Sequence, residues 1–495
     1  MDYLMGIDIG TTAVKVLIID KIGNIMVKSN VEYDLLLPHI GWVEQNAESM
    51  WQSVKSAVKL ALNTFAGDCS EIRAISLSTQ RDTLVCVNKD NYPIRNMITW
   101  MDSRSSAQCA KMERDIGTDR VYEITGVGIS TIWTLAFILW LRENEPDNFQ
   151  KIACFGLVHD FILCRLGAEE HYLDTSNACQ TMLFDLKMGV WSSELMEYSG
   201  LSEEVLPILV QPGTKVGILS QALAAEFGMP DGIMLVSGGG DQQCASLGAG
   251  AICDGDVEIG IGTAANILAT LKKPVFDEHH RLICHRAAVR DLWVLEGAML
   301  ATGKVVEWVR DTFYNGLSLK EIDRDIIENS KPGADGMVIL PHFEGAACPY
   351  WNSAAKGLIF GLTLSATKAN IARAFFESIT FEIRKNLDIL HKFGICPNKI
   401  IISGGASRST VWMQMMADVT GFIVCIPKET DCAAVGAAVL AGVGCGLFEN
   451  EKQAVQKIVS FGQEYIPNQE LEYLYHKIYK KNQALYKAID SNNLY

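Results

Sequence analysis

Cationic charge is in short supply in this chain. Its 43 lysines and arginines face 58 aspartates and glutamates, a net charge of −15, which opposes binding to the phosphates of nucleic acid. An anionic ligand would have to be gripped locally. None of the 14 cysteines forms a Cys-x-x-Cys pair, and no Cys/His spacing follows the usual zinc patterns, so neither a disulfide framework nor a structural metal is indicated. Reduced thiols in the cytoplasm are the expectation. A long apolar run is also missing: the most apolar stretch, Ile132 to Leu141, falls well short of the roughly 20 residues of a membrane helix. The opening Met1-Asp2-Tyr3 lacks a basic segment followed by an apolar stretch and cleavage site, so secretion is not expected. Low-complexity tracts are absent, and a composition 49% hydrophobic and 20% charged leaves little room for disorder. At 495 residues the chain exceeds one ordinary core and predicts at least two domains.

What the chain does have is a theme stated twice. An apolar run from Tyr3 to Ile9, the turn Gly10-Thr11-Thr12 and a second run from Val14 to Ile19 read as a β-hairpin. The pattern returns 252 residues later, where Ile259-Gly260-Ile261-Gly262-Thr263 matches Ile7-Asp8-Ile9-Gly10-Thr11 in all but one place. A duplicated domain is the economical explanation. Helical periodicity alternates with short apolar strands in both halves, which predicts α/β architecture in each, residues 1–245 and 246–495. Asn46 can cap a helix whose Trp51, Val54, Val58 and Leu62 form one core-facing stripe, and Ile371, Phe375, Ile379 and Ile383 do the same in the second half.

A Gly-Thr-Thr turn between strands exposes backbone N–H groups and hydroxyls suited to phosphate oxygens. One such turn is equally an ordinary hairpin, but a pair, one per half, could grip a triphosphate from both sides. Asp8 lies within an apolar strand, where an unpaired carboxylate is expensive to bury. It either holds Mg²⁺, through water, or is satisfied by neighbouring backbone. Lys15 either reaches phosphate or faces outward from its strand. Asp241 follows the strand-like Ile233 to Val236 and three glycines, a position open to a ligand. It can accept the proton of a substrate hydroxyl during phosphoryl transfer, or simply cap the next helix. Gln242 beside it can donate to a substrate hydroxyl. Gln80-Arg81-Asp82, after the short strand Ala74 to Leu77, offers the donors and acceptor of a polyhydroxylated ligand, or a surface ion pair. Trp133 is either an apolar wall for a sugar or core. The turn Gly404-Gly405-Ala406 could carry an adenine ring or permit close helix packing.

These landmarks, in this order and over nearly the whole chain, resemble the FGGY carbohydrate kinases, which share the actin and hexokinase fold. They are Gly6-Ile7-Asp8-Ile9-Gly10-Thr11-Thr12, Gly239-Gly240-Asp241, Gly260-Ile261-Gly262-Thr263, Gly404-Gly405-Ala406-Ser407-Arg408, and Gly357 to Leu362 followed by a helix ending in Glu377. The resemblance implies two duplicated actin/hexokinase-like, ribonuclease H-like domains with a cleft between them, and transfer of phosphate from ATP to a small sugar or polyol. It implies Asp241 as catalytic base, Asp8 with Asp241 at Mg²⁺, Thr11, Thr12, Gly262 and Thr263 at the phosphates, and Gly303 and Gly405 at adenosine. A homodimer would be common among similar kinases. Trp100-Met101-Asp102 and the loop Pro341 to Tyr350 are most similar to xylulokinases, which points to a ketopentose such as xylulose. Arg81-Asp82 and Asp241-Gln242-Gln243 instead resemble glycerol kinases, so a polyol such as glycerol or erythritol stands as the alternative, and Phe137 replaces the lysine of the first family signature. A sugar sensor of the same fold without catalysis is the rival of another class, against which both Asp8 and Asp241 are present.

Overall fold

The computed structural model describes residues 2–495. The chain forms two compact units: one takes everything up to Ile252 with Lys272–Val294 and Asp431–Ser460, the other takes Cys253–Leu271, Leu295–Thr430 and Phe461–Tyr495. The expected division near residue 245 lies close to Ile252, beyond which the chain alternates between the units.

The sheet of the first unit contains β1 (Tyr3–Ile9), β2 (Ala13–Asp20), β3 (Ile25–Glu32), β4 (Ile72–Thr79), β5 (Lys215–Ile218) and β6 (Met234–Gly240). Its order is β3-β2-β1-β4-β6-β5. In the second unit β7 (Val257–Ile261), β8 (Ala265–Leu271), β9 (Trp293–Met299), β10 (Lys399–Ser403), β11 (Ile423–Pro427) and β12 (Phe461–Tyr465) run in the order β9-β8-β7-β10-β11-β12. Strand directions agree as well. β1 is antiparallel to β2 and parallel to β4, which is parallel to β6; β7 is antiparallel to β8 and parallel to β10, which is parallel to β11. Each sheet closes on an antiparallel edge strand, β5 or β12. The duplication read from two short motifs is therefore a duplication of topology, and each unit is an α/β domain of the actin and hexokinase type.

The helices that flank these sheets include α1 (Ala47–Thr64), α2 (Val158–Leu166), α3 (Asp241–Gly248), α4 (Gly303–Phe313), α5 (Lys368–Lys392), α6 (Thr410–Thr420), α7 (Cys432–Gly444) and α8 (Glu472–Ser491). Asn46 caps α1 as expected, its side chain accepting from Ser49 N at 2.9 Å. The stripe Trp51, Val54, Val58 and Leu62 packs with Met5, Ile7, Val14 and Val16 of the sheet. No helix of the described residues is long and apolar enough to cross a membrane.

Two expectations are corrected. The strand read as ending at Val236 runs on through Gly238, Gly239 and Gly240; a Cβ on Gly238 would stand 1.6 Å from the Leu77 carbonyl oxygen, so only glycine lets β6 lie this close to β4. The helix through Glu377 does not end there but runs on to Lys392. No breaker follows until Gly394, and the buried Glu377 carboxylate accepts from Gly333 N at 2.9 Å and Tyr475 Oη at 3.0 Å.

The other face of the first sheet receives α7, and α7 meets α3 backbone to backbone. A Cβ on Gly6 would lie 2.1 Å from the Ala434 oxygen, one on Gly248 2.0 Å from the Cys432 oxygen, and one on Gly436 2.0 Å from the Cys244 oxygen. Rigid main chain cannot yield as a side chain would. Gly436→Ala is therefore expected to destabilise the first unit by roughly 3 kcal/mol, read as a lowered urea midpoint at unchanged slope; an unchanged midpoint would show that the helices separate freely.

Candidate functional site

The first unit brings Asp8, Lys15, Asp241 and Asp431 into one electrostatic cluster. Asp8 lies near the end of β1, opposite Ser78 of β4 in register, and Ser78 Oγ donates to its Oδ1 at 2.8 Å. Asp241 is the first residue of α3 and accepts from Gln242 N at 2.7 Å. Asp431 stands at the N-cap of α7. Burial pushes the Asp8 carboxyl up to about 6 against the lowering effect of Ser78, and the Asp241 charge pushes the same way, with Lys15 opposing and Asp431 adding to it. Burial would also raise Asp431, but Lys15 at 2.7 Å and Lys28 at 3.2 Å hold it below the ordinary aspartate range. Lys15 is thus committed to Asp431, with its side chain 45% exposed.

Arg81 approaches Asp241, Nε to Oδ1 at 3.4 Å, so the motif after β4 and the candidate base meet. Asp82 takes a left-handed backbone with φ 64°, a conformation aspartate tolerates better than most residues. Its carbonyl accepts from Thr134 Oγ1 at 3.4 Å. Trp133, next to that threonine, is buried, and its indole N–H donates to the Gly128 carbonyl at 2.7 Å. Gln80 is buried, and its Nε2 donates to Gln45 Oε1 at 2.7 Å, while Gln45 Nε2 donates to the Thr11 carbonyl at 2.6 Å. Trp100 Nε1 reaches Thr11 Oγ1 at 3.2 Å. The exposed Thr12 turn is thereby tied to the Gln80 strand end through Gln45. Gln80 Oε1 and both amide atoms of the buried Gln243 have no hydrogen-bond partner, which leaves acceptors and donors ready for a polyhydroxylated ligand.

In the second unit Gly262 and Thr263 form the exposed turn between β7 and β8. The Thr263 carbonyl accepts from Thr302 N at 3.1 Å and Gly303 N at 3.0 Å, so the turn is pinned to the start of α4. A Cβ on Gly303 would stand 2.2 Å from the Gly262 oxygen, whereas Gly262 and Gly405 face open space. Gly404 has φ 84° and no room for a Cβ beside Ile261, and with Ala406 it forms the bend after β10. The counterpart of Asp8 here is Gly260, opposite Ser403. Ser403 instead donates to Glu258 at 2.7 Å, and burial, with Glu296 nearby, pushes that carboxyl up to about 8. At this place in the strand the first unit thus carries a carboxylate and the second a glycine.

Sequence reading missed Ser78, Gln45 and Asp431. The polar run Ser78 to Gln80 at the end of an apolar strand was a signal for the first; Gln45 and Asp431 gave none, because only tertiary contact joins them to the turns.

A model of the FGGY family of carbohydrate kinases, N-terminal domain, matches residues 3–248, and one of its C-terminal domain matches residues 257–445. The chain is 29% identical to a xylulose kinase of Staphylococcus epidermidis over 98% of this chain and 97% of that one. It is 30% identical to a glycerol kinase of Bdellovibrio bacteriovorus over 94% of each. The solved xylulose kinase of Rhodospirillum rubrum superposes with a TM-score of 0.90 at 26% identity, covering 99% of each chain.

The raised pKa of Asp8 carries a sign. Ionising it costs the fold stability, a cost absent below the ordinary value of 3.8 and complete above about 6. Asp8→Asn, which keeps an acceptor for Ser78, is expected to stabilise the metal-free protein at pH 7.5 by about 1–3 kcal/mol and not at pH 4. Thermal denaturation in chelator at both pH values measures this, and equal effects at both would remove the burial argument.

Proposed function

The chain belongs to the FGGY family of carbohydrate kinases and is most like the xylulokinases; on that premise we propose that it transfers the γ-phosphate of ATP to a ketopentose such as xylulose, with Asp241 as the base. The observation that carries this assignment is the placement of Asp241 within the field of the half-buried Asp8 and against Arg81. Arg81, 3.4 Å from the Asp241 carboxylate, aims it. Asp241 takes the proton of the acceptor hydroxyl as its oxygen bonds to the γ-phosphorus, the bond to the ADP oxygen breaks, and ADP leaves. Gln80, Arg81, Asp82 and Gln242 orient the sugar hydroxyls, with Trp133 backing the pocket from the core. Thr11 and Thr12 in the first unit, and Gly262, Thr263, Gly303, Gly404, Gly405 and Ala406 in the second, supply phosphate and adenosine contacts; Lys15 serves by fixing Asp431.

Hard carboxylate oxygens that repel one another suit Mg²⁺, and Asp8 with Asp241 would hold it. When bound, the ion supplies neutralisation of the charge that builds on the phosphate oxygens. All 14 cysteines are unpaired, in keeping with work in the reducing cytoplasm.

A polyol of the glycerol type is the second reading, favoured by the Arg81–Asp241 contact beside Asp82, which offers one cation and two carboxylates to adjacent hydroxyls. ATP consumption with Mg²⁺ across ketopentoses, aldoses, polyols and sugar acids, with mass detection of the products, separates the two. Phosphorylated xylulose is expected; a preference for glycerol or erythritol selects the second reading, and ADP release indifferent to sugar rejects both. Asp241→Ala is expected to lower kcat at least about 10³-fold with an unchanged circular dichroism spectrum; near-normal turnover in the folded variant would remove Asp241 as the base.

A further inference from the structure

Helix α2 carries a constellation that phosphoryl transfer does not use. Cys154 opens the strand Cys154–Leu157 that leads into α2, and Asp160 lies in the first turn of the helix. Cys164 follows four residues on, which a helix places on the same face. His171 ends the loop that returns to the strand Tyr172–Asp174. Ligand atoms of Cys154, Asp160 and His171 all lie within 4.8 Å of one another. His171 Nδ1 donates to Asp160 Oδ2 at 2.7 Å, and Asp160 Oδ1 accepts from Leu157 N at 2.6 Å. The Cys164 thiol, one helical turn from Asp160, donates to the Glu170 carbonyl at 3.3 Å and lies outside that group of three.

Four features point to a cation site. The clustered donors are one sulfur, one imidazole and one carboxylate, with a second sulfur one helical turn from Asp160, the mixture that suits a borderline, tetrahedral ion and not Mg²⁺ or Ca²⁺. The donors come from a strand, a helix and a loop, so a central ion would join three segments. Asp160 is fully buried and Cys154 nearly so, while the His171 side chain remains 21% exposed, which leaves an entry from solvent. The strand is also kept bare for the carboxylate: a Cβ on Gly156 would stand 2.2 Å from Asp160 Oδ2.

We propose that this protein binds Zn²⁺ through Cys154, Asp160 and His171, with the Cys164 thiol turning in from the Glu170 carbonyl as the fourth ligand, clasping the strand, the helix and the loop together. The ion replaces the thiol protons of Cys154 and Cys164 and the proton that His171 shares with Asp160, all three passing to buffer. The neighbouring residue His159 lies 3.4 Å from Ser237 of β6, so the clasp braces the helix that packs on the strand leading to Asp241. The linear spacing Cys-x₅-Asp-x₃-Cys-x₆-His hides the site, because Asp160 and Cys164 become neighbours only through helical pitch.

The test uses the full-length protein, stripped with chelator under reducing conditions and titrated with Zn²⁺ against a chromogenic zinc indicator, beside Cys154→Ser, Cys164→Ser and His171→Ala. One equivalent of zinc per chain is expected, with affinity at least about 100-fold weaker in each variant. Cobalt(II) is expected to give tetrahedral bands with a thiolate charge-transfer absorption that the serine variants reduce. Sugar kinase activity reports that each variant has folded; should His171→Ala fail to fold, the nearly isosteric serine variants decide alone. A wild-type chain that cannot compete with the indicator, a cobalt complex without thiolate absorption, or serine variants that bind zinc as tightly as wild type would each overturn the site.

Discussion

The close approach of α7 to β1 and to α3 governs the functional end of the first unit. Gly6, Gly248 and Gly436 have no side chain where each meets another main-chain carbonyl, and that absence lets three elements converge. Asp8 near the end of β1, Asp241 at the start of α3 and Asp431 at the cap of α7 share one neighbourhood because the elements beneath them touch. Packing comes first, and the charge cluster follows from it.

The cluster crowds like charges together. Three carboxylates crowd together with two lysines, and both lysines go to Asp431. Asp8 is left with a serine hydroxyl, so its ionisation is opposed by burial and by Asp241. The duplicate is arranged differently. At the equivalent place the second unit has Gly260, and its nearest carboxylate, Glu258, is pushed toward the neutral form. One topology thus serves two purposes, with charge kept in one copy and open glycine turns in the other.

The residues proposed for the sugar form a different kind of site. Gln45 links Gln80 to the Thr11 turn, so a ligand on the Gln80 amide is coupled by hydrogen bonds to the turn that exposes Thr12. In the proposed site Arg81 would do double service, as a donor to hydroxyls and as the partner of Asp241. Replacing it would alter binding and proton transfer together.

The duplicated hairpins, their glycine turns, the capped helix after Asn46 and the carboxylates Asp8 and Asp241 were legible in the residues alone, because strand alternation, turn chemistry and a charge inside an apolar run are local signals. Local signals misjudged Gly238 to Gly240, whose reason is a neighbouring strand, and the length of α5. Nor could they reveal that Lys15 belongs to Asp431, more than 400 residues away, or that Gln45 bridges two motifs. The chemistry of the reaction was written in which residues are present. The partner each of them meets, including the thiols and histidine gathered around α2, was decided by tertiary packing, since distance in space is set by the whole fold and not by spacing along the chain.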